Sequence, residues 1–188
     1  MKSFLLSFSI LSLLTVAACN RDDTPEPVEQ ELITTIRLIV TDTAGTARTF
    51  NYRVENGFGS TSPGSLRVDS VVLPASAAPY NVEVRVLNET VQPAEDVTDE
   101  IIAERDEHLF FFAVSGTIGM PLPAITLGNG STDNTGRPFN QTLKLNAPSV
   151  GSGQIIVRLL HEPTDKNNST HPGGETDAEA VFPYRITP

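Results

Sequence analysis

Three histidines and one cysteine are the side chains of this 188-residue chain best suited to hold a metal ion or accept a covalent group. His108 follows Glu107, His161 precedes Glu162, and His171 is succeeded by Glu175 and Asp177. Imidazole nitrogen combined with carboxylate oxygen is a donor set for a divalent metal. His108 opens one apolar run and His161 closes another, so a sheet that brings those two ends together makes His108, His161 and Glu175 the expected ligands. No pair of histidines has H-x-H or H-x-x-x-H spacing, so local sequence does not assemble the site. The competing reading is that half-polar imidazoles simply end two strands.

Other chemistry is weaker. Ser131-Thr132-Asp133-Asn134-Thr135-Gly136 shares little with a calcium loop, lacking the alternating acids and the closing bidentate Glu, and reads as a turn. Seven carboxylates crowd residues 95–107, namely Glu95, Asp96, Asp99, Glu100, Glu104, Asp106 and Glu107, and they read as a solvated helix face. No serine lies in G-x-S-x-G, and neither a phosphate loop nor a dinucleotide fingerprint is present. The expectation is a protein that is not an enzyme.

The elements that must position these groups are mostly strands. Ile36, Leu38 and Val40 alternate with Thr35, Arg37 and Ile39, and Phe50, Tyr52 and Val54 alternate with Thr49, Asn51 and Arg53, predicting a hairpin of strands 32–40 and 47–54. Strands 66–73 and 80–87 follow, separated by Pro74 and Pro79, with Val82, Val84 and Val86 facing inward. Residues 93–107 break the pattern and predict one short helix, because Val97 and Ile101 lie four apart and acids fill the first turns. The apolar run 108–114 predicts a strand buried on both faces, and 124–127 a short strand. Loops are expected over 116–123 and 128–138, and closing strands over 141–146, 153–161 and 177–186. Short strands at regular spacing predict a mainly β domain, an antiparallel immunoglobulin-like β-sandwich with one helix, with a β-barrel as the alternative.

Ahead of that domain stand Lys2, an apolar stretch from Phe4 to Val16, and then Ala17-Ala18-Cys19. The stretch is shorter than the roughly 20 apolar residues that a membrane-spanning helix needs, and with its small residues before a cut site it reads as a cleaved signal. Val16-Ala17-Ala18-Cys19 resembles the lipobox of bacterial lipoproteins. That resemblance implies a signal peptide over residues 1–18, lipidation of Cys19 with palmitate-type acyl chains, and a membrane anchor stable because it has more than one chain. Residues 19–31, which include Asn20-Arg21-Asp22-Asp23-Thr24-Pro25-Glu26-Pro27, form an expected extended tether before a single domain over 32–188. Asn20 in place of Asp after the cysteine implies the outer membrane, facing either the periplasm or the cell surface.

The net charge is −10, and removal of Lys2 with the signal takes it to −11. An acidic surface opposes nucleic acid, whose phosphates select a basic footprint. Several strings resemble a family of small, uncharacterised Bacteroidota lipoproteins: Glu31-Leu32-Ile33-Thr34-Thr35, Leu87-Asn88-Glu89-Thr90, the segment 93–101, Glu107-His108-Leu109-Phe110-Phe111, Leu160-His161-Glu162-Pro163 and Gly173-Gly174-Glu175-Thr176-Asp177. The resemblance implies no activity. It leaves the expectation of a lipid-anchored envelope module that binds a protein or polysaccharide partner, with a divalent-metal-binding lipoprotein as the alternative and a hydrolase as a second one.

Overall fold

The computed structural model describes residues 32–116 and 124–188. Cys19, the signal over 1–18, the tether over 19–31 and most of the loop expected over 116–123 lie outside the described residues. The chain order is β1 (Thr35–Thr41), β2 (Ala47–Val54), β3 (Leu66–Val68), β4 (Val71–Pro74), β5 (Ser76–Asn88), β6 (Glu95–Asp96), α1 (Thr98–Ala103), β7 (His108–Gly116), β8 (Thr126–Thr132), β9 (Pro138–Ala147), β10 (Gly151–His161) and β11 (Glu175–Thr187). A seven-stranded sheet runs β3-β2-β1-β5-β9-β8, with β6 added to β5, and a four-stranded sheet runs β4-β11-β10-β7. The two sheets pack as a β-sandwich and do not close into a barrel. Among the described residues all ladders are antiparallel except the short parallel pairing of β4 with β11.

Strict alternation builds the core. Ile36, Leu38 and Val40 of β1 pair across with Val86, Val84 and Val82 of β5, and all six are buried. The facing sheet contributes Ile155, Val157 and Leu159 of β10 and Ala178, Ala180, Phe182, Tyr184 and Ile186 of β11. A fully buried Val, Leu or Ile side chain contributes roughly 1.5–3 kcal/mol, so a one-residue slip of any of these strands would turn its stabilising face outward. Aromatic pairs bridge the sheets on both sides: Tyr52 meets Phe182 edge-on at 5.8 Å, and Phe110 meets Phe139 at 5.6 Å.

Several expected boundaries move. The segment expected as one strand over 66–73 is two: Leu66–Val68 pairs with β2, and Val71–Pro74 pairs with β11 in the other sheet. The helix expected over 93–107 covers only Thr98–Ala103, because Glu95–Asp96 is claimed as strand by β5. Of the seven acids, only Asp99 and Glu100 therefore lie on the helix. Val97 and Ile101, the apolar pair that signals it, are both buried. The loop expected over 128–138 is strand as far as Thr132, since β9 supplies a ladder that its Gly-, Asn- and Ser-rich composition does not advertise. Strand β5 runs through Pro79, where the register with β9 slips between Ser76 and Tyr80. β7 is buried from His108 to Phe110, but beyond that it is only half-buried, as an edge strand is on its open side.

Candidate metal centre

His108 and His161 are direct cross-strand partners, at the first residue of β7 and the last of β10. Their rings stack at 4.8 Å between centroids with an interplanar angle of 9°, the close approach that opposed side chains on one sheet face permit. His108 ends the inward row of β7 that begins with Phe110, so it is only 4% exposed, whereas His161 is half-buried.

The carboxylate that joins them is Asp177. Ligand atoms of His108, His161 and Asp177 all lie within 4.8 Å of one another. Alternation along β11 buries Ala178, Ala180 and Phe182 and would turn Asp177 outward. A register shift intervenes: Leu159 pairs with Ala178 and Leu160 with Thr176, leaving Asp177 as the extra residue of a bulge. Bulges bend the strand and re-aim side chains, and the Asp177 side chain is only 8% exposed. Glu175, the carboxylate expected here, is in register with His161 but exposed, and it is not a member of this group. His171 is exposed on the β10–β11 loop, its backbone N–H donating to Asn168 Oδ1 at 2.9 Å.

The surroundings set the state of His108. Its Nδ1 lies 3.2 Å from the Glu104 carbonyl oxygen, at the turn that follows α1. A carbonyl only accepts, so Nδ1 carries the hydrogen and Nε2 presents a lone pair. Nε2 is 4.0 Å from Asp177 Oδ2, beyond hydrogen-bond range. Burial, reinforced by the neighbouring His161, holds the ring below the ordinary imidazole range against the opposing pull of the Glu104 carbonyl and of the Asp177 and Glu104 carboxylates. The ring is therefore neutral at pH 7, the form in which imidazole binds metals.

Three loops are tied together beside this group. Lys166, on the β10–β11 loop, donates through Nζ to the Arg105 carbonyl at 2.5 Å and to Asp133 Oδ2 at 3.0 Å. Asp133 Oδ1 also accepts from the backbone N–H groups of Thr135 and Arg137, which closes the β8–β9 turn. The segment compared with a calcium loop is thus a turn whose central carboxylate faces a lysine ammonium. Asp106 Oδ1 and Oδ2 accept from the backbone and side-chain amide of Asn134, joining the same turn to the α1–β7 connection. On the other flank Glu162 N–H donates to the Glu107 carbonyl at 2.7 Å, extending the β7–β10 pairing past the two histidines. Gly174, at φ +89°, lets the returning chain pass against the His161 carbonyl and Pro163, where a Cβ would collide.

A groove of about 610 Å³ runs along the edge where the sheets approach each other, lined among others by Leu109, Phe111 and Phe112 of β7 and Leu127 of β8. Asn140, at φ 60°, bridges that edge by donating through Nδ2 to the Phe110 carbonyl at 3.2 Å. Among the described residues no helix is long and apolar enough to cross a membrane. No protein-family model matches the chain, and neither a curated protein nor a solved structure matches it.

Proposed function

We propose that this chain is a lipoprotein of the bacterial cell envelope, anchored through Cys19 to the outer membrane, whose β-sandwich acts as a non-catalytic binding or structural module. The observation that carries the reading is the run Val16-Ala17-Ala18-Cys19 at the end of a short apolar stretch, with Cys19 the only cysteine of the chain. Acyl chains on a single residue anchor stably when more than one is attached. The polar, Pro-containing segment after Cys19 supports it, because such a composition spaces a domain from the bilayer. So does the acidic balance, which keeps the domain off an anionic lipid surface. The partner is an envelope protein or polysaccharide met through the loops at the sandwich ends, where binding residues commonly concentrate.

Metabolic labelling with a palmitate analogue and membrane fractionation test the reading. The native chain takes the label and sediments with membranes, while Cys19→Ser takes none and is recovered soluble. An unlabelled native chain, or a Cys19→Ser chain still in the membrane pellet, overturns it.

A further inference from the structure

We propose that His108, His161 and Asp177 form a binding site for one divalent transition ion of the zinc class, with His108 Nε2 as its fixed ligand. Three adjacent strands, β7, β10 and β11, each contribute one ligand at the same end of the four-stranded sheet. The third is delivered by the bulge at Asp177, and bulges recur where a strand must aim a side chain at a site.

Distances favour an ion over a hydrogen bond. Two ligands held at about 2.0–2.1 Å on a tetrahedral ion stand about 3.3 Å apart. The 4.0 Å between His108 Nε2 and Asp177 Oδ2 is longer than a hydrogen bond and wider than that tetrahedral edge by less than 1 Å, roughly what a small side-chain rotation closes. The Glu104 carbonyl acts on the far nitrogen of His108 as an outer-shell acceptor, the arrangement that fixes the tautomer of metal-bound histidines.

The stacked rings determine what must move. An ion lies in the plane of each imidazole that binds it, and ring planes 9° apart do not meet at a common point nearby. Binding therefore swings one ring out of the stack. His108 is buried and bonded at Nδ1, so the ring that turns is that of His161, half-buried at the end of its strand. Two nitrogens and one oxygen select zinc, nickel or copper over magnesium or calcium, which prefer oxygen shells. Three protein ligands leave a fourth position for water or an exogenous donor.

The test is titration of the full chain, purified in detergent, with zinc chloride, calcium chloride and cobalt chloride. One zinc ion per chain is expected, with the visible absorption of tetrahedral cobalt on substitution and a shift of the His161 ring resonances as the stack opens. His161→Gln and Asp177→Asn, each checked for folding by circular dichroism, lower zinc affinity by about 10- to 100-fold or more, whereas Glu175→Gln leaves it unchanged. Absence of stoichiometric zinc binding overturns the proposal. So does calcium binding as tight as zinc, zinc affinity unaltered in folded His161→Gln, or a loss in Glu175→Gln equal to that in Asp177→Asn. The measurement is independent of the acylation of Cys19, so its failure leaves the anchoring result standing.

Discussion

Lys166 Nζ sits 3.0 Å from Asp133 Oδ2 with the two side chains 1% and 0% exposed, an ion pair almost wholly withdrawn from water. Breaking such a pair from one side costs about 3–5 kcal/mol where the remaining charge has no other partner, but Asp133 Oδ2 also accepts from Arg137 Nε at 3.1 Å, so part of its compensation survives. Lys166→Met is expected to lower stability by less than that, about 1–3 kcal/mol, in urea denaturation. It also frees the Arg105 carbonyl, so amide exchange accelerates first in the 104–107 turn and the β10–β11 loop. A loss within experimental error of zero would show that the pair is energetically idle.

Asp133 also gives the fold an acid limit. Burial pushes its carboxyl up, but hydrogen bonds from Thr135, Lys166 and the Arg137 and Thr135 backbone outweigh burial and hold it well below the usual carboxylate range. A folded-state pKa depressed below the unfolded one stabilises at every pH above the unfolded value, near 3.9, and the contribution disappears as pH falls through the folded value. The urea midpoint should hold between about pH 7 and 5 and decline below about pH 4. In Asp133→Asn the decline is shallower, and equal slopes in the two proteins would contradict the assignment.

Thr98 joins the helix to the sheet. Its Oγ1 accepts the Val86 N–H at 2.9 Å, and the residue is 0% exposed. Thr98→Val keeps the shape and leaves that N–H buried without an acceptor, for an expected loss of about 1–3 kcal/mol in thermal or urea unfolding. Thr98→Ser, which retains the hydroxyl, should lose markedly less.

At Gly153 the restriction is space rather than backbone angle. A Cβ there would collide with the Ser115 carbonyl oxygen on one neighbouring strand and the Tyr184 ring on the other. Gly153→Ala is expected to destabilise by about 1–3 kcal/mol, as overpacking does, even though alanine is ordinarily tolerated in strands. In a Tyr184→Leu background, which removes one of the two obstacles, Gly153→Ala should cost less than it does in the native chain in the same unfolding assay.

The strands that alternation made legible are those whose one face meets the core: β1, β2 and the inward valines of β5 lie where Ile36, Phe50 and Val84 placed them. The meeting of His108 with His161 was legible too, since each stands at the end of an apolar run. Asp177 was not, because its approach depends on a bulge that breaks the parity by which strand faces are read. The expectation of Glu175 rested on its place in sequence, as one of the acids nearest to His171. The division of 66–73 between two sheets was hidden for a related reason: Leu66, Val68, Val71 and Leu73 suit a strand in either sheet, and only tertiary pairing assigns them. The strand through 126–132 was lent to a poor β former by β9.

The step through Asp69 and Ser70, by which the chain leaves β3 for β4, gives the sandwich the build of a bound book. Covalent chain stitches that spine, and it stitches the opposite fore-edge too, since β7 and β8, the outer strands there, are consecutive in the chain; Phe110 on Phe139 and the Asn140 amide on the Phe110 carbonyl clasp it further. The page on which His108 is printed lies at that clasped fore-edge, so the group it forms with its two neighbours sits where both sheets are held to each other.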